Sequence, residues 1–251
     1  MPTVLLRLSG PMQAWAAHTP FESHHDTLTR PTKSGVIGLV ANALGHDRTD
    51  DTSHLAALHF TVRADRPGHL EHDDYTAGAG TFPLDTLTLH THPELAQQPD
   101  RFIYAAPREA TPKTPPKASW APSTRKTTKG RKTYIVDGAF LAGLTGPQQL
   151  TDAVHEALMR PARLLHLGRR CCPPARLIPH GTTPWDTEWP HHVPLLPEAT
   201  TPHPHYWQET LDPTAPALPE QPPTRYADRD HRTLAMTSHT ATPPPAPQET
   251  W

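Results

Sequence analysis

The chain has 251 residues, enough for one sizeable core, yet 33 are proline and only 35% are hydrophobic, so much of it must be loop or extended segment. A formal net charge of −2 excludes a uniformly basic nucleic-acid binder, and no apolar run approaches the roughly 20 residues of a membrane span; a cytoplasmic protein without a membrane partner is expected. The two cysteines, Cys171 and Cys172, are adjacent, which excludes a staple between distant segments or a four-ligand zinc site and leaves two reduced thiols.

Residues 3–8 form a short apolar run interrupted by Arg7 and closed by Gly10-Pro11, which reads as a first strand. A helix is predicted over 34–44. Thr32 or Ser34 can cap it, Val36, Ile37, Leu39, Val40, Ala43 and Leu44 recur at helical spacing, and Gly45 stands where a left-handed terminator belongs. Residues 58–64 alternate, with Leu58, Phe60, Val62 and Ala64 inward and His59, Thr61 and Arg63 outward, as in a half-buried strand. Further strands are expected over 70–76, 85–90 and 134–141. Thr145-Gly146-Pro147 opens a second helix, capped by the threonine, with Leu150, Val154 and Leu158 down one face and an end at Pro161. A last strand is expected over 163–167, before a turn at Gly168.

The resulting order, β-α-β-β-α-β with a long excursion before the second helix, matches the α+β ferredoxin-like arrangement of modified RNA-recognition folds. After Cys172 the texture changes, since 18 of the 33 prolines follow it. An irregular Pro-rich extension that closes the sheet is expected over 173–239, with strand-like pairing confined to 226–236, and a disordered tail over 240–251.

Charge is unevenly spread. From residue 108 to 132, Arg108, Lys113, Lys117, Arg125, Lys126, Lys129, Arg131 and Lys132 stand against Glu109 alone, so the remainder is net acidic. Interleaved with Trp120 and several prolines, these cations suit an extended arm that tracks a nucleic-acid backbone and stacks an aromatic on a base; a solvated loop has the same composition.

Two further motifs suit phosphate. The helix opening Thr32-Lys33-Ser34-Gly35 offers backbone amides, an ammonium and a hydroxyl, although a plain capped core helix reads the same. Gly168-Arg169-Arg170 offers a glycine turn with two guanidinium groups, each able to bind phosphate in bidentate fashion. The histidine pairs His24-His25, His90 with His92, His191-His192 and His203 with His205 find no acid or cysteine to complete a metal site, so neither metal nor cofactor is expected. A metal-independent endoribonuclease is the alternative, with His24, His25, Tyr75 and Lys33 as candidates to deprotonate a 2′-hydroxyl and protonate the leaving oxygen.

Four blocks in order, Leu8-Ser9-Gly10-Pro11-Met12-Gln13-Ala14-Trp15, Arg30-Pro31-Thr32-Lys33-Ser34-Gly35-Val36-Ile37-Gly38-Leu39, Asp74-Tyr75-Thr76 and Leu167-Gly168-Arg169-Arg170-Cys171-Cys172-Pro173, resemble the CasD-type subunits, the type I-E branch of the fifth Cas family in the RAMP superfamily. The resemblance implies a ferredoxin-like domain over 1–172 with an inserted thumb at about 90–133. It implies a non-catalytic subunit of the Cascade complex of CRISPR immunity, one that holds the 5′ handle of the CRISPR RNA, caps the filament of CasC backbone subunits, contacts the large CasA subunit, and meets target DNA only through the assembled complex. RNA cutting in that branch falls to the separate CasE subunit.

Carried over by position, Arg30, Lys33, Ser34 and Gly35 meet handle phosphates, Gly168, Arg169 and Arg170 form a glycine-loop contact, and Gln13 and Trp15 lie beside the bound strand. Tyr75 joins them from the third block. The thumb contributes Trp120, Arg125, Lys126, Lys129, Arg131 and Lys132. One departure stands out: the family's Asp-Tyr-His-Thr is Asp74-Tyr75-Thr76 here, so no role of that histidine transfers.

Overall fold

The computed structural model describes residues 1–16, 24–77, 102–105, 119–122, 128–227 and 232–247. The chain divides into two units, Met1–Asp73 with Arg131–Trp251, and Asp74–Gly130.

The strands described are β1 (Thr3–Ser9), β2 (Met12–Gln13), β3 (His24–His25), β4 (His59–Arg66), β5 (His69–Ala77), β6 (Phe102–Ala105), β7 (Ser119–Pro122), β8 (Thr128–Val136), β9 (Ala139–Thr145), β10 (Pro179–Thr183), β11 (His205–Glu209), β12 (Ala217–Gln221) and β13 (Arg232–Thr240). The helices described are α1 (Lys33–Leu44), α2 (Ser53–Ala56), α3 (Gln148–Met159) and α4 (Trp189–His192).

Seven strands form one antiparallel sheet in the order β10-β1-β9-β4-β11-β13-β12. Side chains alternate across it. Val4, Leu6, Leu8, Phe60, Val62, Phe140, Ala142 and Leu144 meet the apolar faces of α1 and α3 on one side, while Leu5, Ala139 and Leu141 meet Trp189, Val193 and Leu196 on the other. Covering both faces corrects the half-buried reading of β4: Thr61 and Arg63 are as fully buried as Phe60. Arg63 is compensated there, because its guanidinium donates to Asp65 at 2.6 and 2.9 Å and to the carbonyls of Pro190, Val193 and Pro194, while Asp65 also accepts from the Leu196 amide at 2.7 Å. A buried ion pair thus stitches the 190–196 segment onto the sheet.

α1 forms as predicted. Thr32 Oγ1 accepts from the Gly35 amide at 3.1 Å, Val36, Ile37 and Val40 are fully buried, and Gly45 terminates the helix in the left-handed region at φ 84°. α3 also forms and stops before Pro161, but the capping reading fails. Thr145 belongs to β9, and its Oγ1 is 2.7 Å from Thr3 Oγ1 in the neighbouring strand, so Pro147 precedes the helix with no side-chain cap.

Three strand expectations change. The run over 134–141 is two strands, broken where Asp137 turns at φ 60°. Residues 163–167 are not a strand, since Leu164 is 92% exposed and Arg163 is drawn to Asp47 at 2.7 Å; the edge of the sheet beside β1 is β10. The region after Cys172, expected to close the sheet but to be mostly irregular, supplies four of its strands, β10 to β13. Part of the expected tail is also held: Ala241 donates to the Pro204 carbonyl at 2.9 Å and the Leu195 amide to Pro244 at 3.0 Å. The strand expected over 85–90 lies outside the described residues.

In a smaller sheet β2 runs antiparallel and β3 parallel to β8, which also pairs with β5. Within the unit Asp74–Gly130, β6 and β7 form an antiparallel pair.

Candidate nucleic-acid interface

The first segment after β1 turns back into the protein rather than outward. Gln13 is fully buried; its Nε2 donates to the Leu8 and Gly138 carbonyls at 3.0 and 2.8 Å, and its Oε1 accepts from Trp15 Nε1 at 3.0 Å. The Trp15 ring, also fully buried, occupies the space a side chain at Gly35 would need: a Cβ there would lie 2.7 Å from Trp15 Cε3. On the other side of the same segment the Ala14 amide donates to the Leu167 carbonyl at 3.1 Å, and Gly168, at φ 86°, lies flush against the Ala14 carbonyl. Residues 13–15 therefore form a wedge between the opening of α1 and the glycine bend, which brings together two places more than 130 residues apart in the chain.

This arrangement turns five of the residues expected at the RNA toward the protein itself. Gln13 and Trp15 are interior, and Gly35 makes room for Trp15. Arg30 is buried, bound to Glu220 of β12 by two hydrogen bonds of 2.6 and 2.7 Å, with its guanidinium 5.7 Å from the Trp207 ring centroid. Lys33 is buried against Glu209 of β11 at 2.8 Å, and burial pushes its pKa down against the raising influence of that carboxylate. These two cations are taken by carboxylates because the C-terminal strands close over the helix opening. They shape the site and do not face out of it.

Ser34 is half-buried, and its carbonyl accepts from Tyr226 Oη at 2.6 Å. At the bend Arg169 is half-buried and aimed: Nη1 donates to the Thr133 carbonyl at 3.1 Å, Nη2 to the His25 carbonyl at 2.5 Å, and the guanidinium carbon is 4.8 Å from the Tyr134 ring centroid. Arg170 and Gly168 are exposed, and Arg170 has no ion pair or hydrogen bond among the described residues. Along β8, Arg131 is exposed and Lys132 half-buried, paired in register with His24 and His25 of β3. In the unit Asp74–Gly130, Lys129 is exposed, Tyr75 is half-buried in β5, and Trp120 has its backbone in β7; Arg125 and Lys126 lie outside the described residues.

Sequence reasoning missed one cluster beside the bend. Thr133 Oγ1 donates to Asp26 Oδ1 at 3.0 Å and lies 3.1 Å from Nδ1 of His72. The three residues carry no local pattern that would single them out.

Both thiols are reduced, with Sγ atoms 3.9 Å apart; Cys171 is exposed, and Cys172 is buried under the bend. Burial first, and the neighbouring Cys171 second, push the Cys172 thiol up from 9.0 to about 12. The folded protein thus keeps a proton that the unfolded thiol loses above pH 9, a contribution present in full below that pH and lost as pH rises toward 12. Tyr226, pushed by burial from 10.0 to about 12, acts in the same sense one unit later. Lys33, held below its usual range, acts in the opposite sense. Denaturation midpoints of the wild type should therefore begin to fall above pH 9, and Cys172→Ala should delay that fall by about one unit. An identical onset in the variant would remove the buried thiol as its cause.

No group of three His, Cys, Asp or Glu residues fit to hold a metal ion occurs among the described residues, and no described helix is long and apolar enough to cross a membrane.

The fold and site define a mixed α/β protein built on antiparallel sheets, with a glycine-arginine bend and a helix opening packed on either side of residues 13–15. The family model of CRISPR-associated protein (Cas_Cas5) matches residues 3–201, and the chain belongs to that family. The CRISPR system Cascade subunit CasD of Escherichia coli (strain K12) is 32% identical over 177 residues, covering 68% of this chain and 66% of that protein, just under two thirds of its length. A solved structure of a Cas protein superposes with a TM-score of 0.67 at 26% identity over 98% of both chains. A second, from a CRISPR RNA-guided surveillance complex, gives 0.69 at 28% identity over 96% of this chain and 91% of that one.

Proposed function

We propose that this chain is the non-catalytic, CRISPR RNA-binding subunit of a type I-E Cascade, holding the 5′ handle of the guide and capping the filament of CasC subunits for antiviral defence. The observation that carries this reading is the wedge of residues 13–15, which packs the Gly168 bend and the α1 opening into one cluster with Arg170 exposed at its rim. Handle phosphates are contacted by Gly168, Arg169, Arg170 and Ser34, with Arg131 and Lys132 along β8. Gln13, Trp15, Arg30, Lys33 and Gly35 hold the cluster in shape. The core is ferredoxin-like: β10-β1-β9-β4, all antiparallel, with α1 and α3 following β1 and β9, is the strand order such a core requires. The unit Asp74–Gly130 is its thumb, offering Tyr75, Trp120, Arg125, Lys126 and Lys129 to RNA or to neighbouring subunits. CasC, the large CasA subunit and target DNA are the partners met in the assembled complex.

The purified chain should bind RNA bearing the repeat-derived handle, with an affinity that falls steeply with salt, and leave that RNA intact in EDTA. A discrete cleavage product that disappears on substituting His25 would establish the endoribonuclease in place of the binder.

A further inference from the structure

Thr133 joins three elements of the candidate site. Its carbonyl takes Arg169, and its hydroxyl couples Asp26, just beyond β3, to His72 on β5. A threonine hydroxyl has one proton, and an ionised carboxylate only accepts. With that proton on Asp26, the contact at His72 Nδ1 can be made only if the imidazole donates. The neutral ring therefore carries its hydrogen on Nδ1 and a lone pair on Nε2. His72 is exposed, and its Nε2 has no hydrogen-bond partner among the described residues.

A lone pair on an imidazole that shares Thr133 with the arginine bend does not suit a phosphate oxygen, which in the ionised backbone has no proton to give. It suits a ribose 2′-hydroxyl, a donor that deoxyribose lacks. We propose that His72 is a ribose-sensing residue of the RNA site, accepting a hydrogen bond from the 2′-hydroxyl of the nucleotide that passes the Arg169 bend, with Thr133 and Asp26 fixing its tautomer. This rests on the RNA-binding reading above and assigns His72 no cleavage step.

The test is fluorescence anisotropy at pH 8 on the full chain. The probes are a synthetic handle RNA and a set of the same RNA carrying one 2′-deoxy nucleotide at each position in turn. The wild type should lose about five-fold in affinity at one position, the worth of one neutral hydrogen bond. His72→Ala should bind the all-ribose handle about five-fold more weakly and be indifferent to that replacement, with an unchanged melting temperature because the side chain is exposed. Thr133→Val, which keeps the carbonyl that holds Arg169, should show the same indifference. A flat scan with handle binding intact overturns the inference alone, as does a His72→Ala variant that keeps the deoxy penalty. Binding that ignores the 2′-hydroxyl yet weakens in His72→Ala makes His72 a phosphate contact and overturns it too. A wild-type chain that binds no handle RNA overturns both this inference and the function on which it rests.

Discussion

Replacing Arg169 and Arg170 together by alanine should weaken handle binding by roughly 2 to 5 kcal/mol, taking hydrogen bonds to charged groups at about 1.5 to 3 kcal/mol each with imperfect additivity. The two side chains do different work. Arg170 is exposed and unpartnered among the described residues, so its truncation removes a contact without disturbing the bend. Arg169 spans the Thr133 and His25 carbonyls and lies over Tyr134, so its loss also frees the bend from β8 and β3. The salt dependence separates these effects. Each phosphate contact on a single strand contributes about 0.7 to the slope of log affinity against log salt, so Arg170→Ala should lower the slope by about that amount. Arg169→Lys should keep the charge yet lose affinity, because an ammonium cannot span two carbonyls and lie flat on a ring. Unchanged affinity in the double variant would remove the bend from the RNA site.

The parts of the fold set by local pattern were legible in the sequence. β1, α1, β4 and α3 all announce themselves through periodicity, and α1 also through its cap and glycine terminator, within a few residues of their own positions. β10 did not, because Pro179-His-Gly-Thr-Thr has neither apolar alternation nor a full set of amides; an edge strand tolerates that, and only its pairing with β1 makes it a strand. The site divides the same way. The glycine bend and the helix opening were visible as motifs, and the resemblance to a known family gave the reason to join them. What the motifs concealed was which cations face out. Arg30 and Lys33 look like phosphate ligands until Glu220 and Glu209 arrive from strands 190 and 176 residues later, and no window of sequence contains both partners. Asp26, Thr133 and His72 were invisible for the same reason, being 107 and 61 residues apart.

Gly168→Ala should be severe for both stability and RNA binding. The residue sits at φ 86°, where an L side chain costs about 1 to 2 kcal/mol, and a Cβ built there would lie 1.7 Å from the Ala14 carbonyl oxygen. Backbone on both sides has to give, for roughly 1 to 3 kcal/mol more by analogy with overpacked cores. The segment that must move is itself held: the Ala14 amide is on the Leu167 carbonyl, and Trp15 is locked between Gln13, Thr27 and Gly35. Relaxation therefore pushes the wedge away from the α1 opening, or the arginine bend away from the wedge. Gly181 is the internal control, since it also has a positive φ, 117°, but a Cβ there meets nothing within 4 Å. Gly181→Ala should show the conformational cost alone, and Gly168→Ala should lie clearly below it in denaturation midpoint. Handle affinity should fall only for Gly168→Ala. Equal midpoints for the two variants would mean that the bend and the wedge are not packed as described, and would remove the contact that joins the two halves of the site.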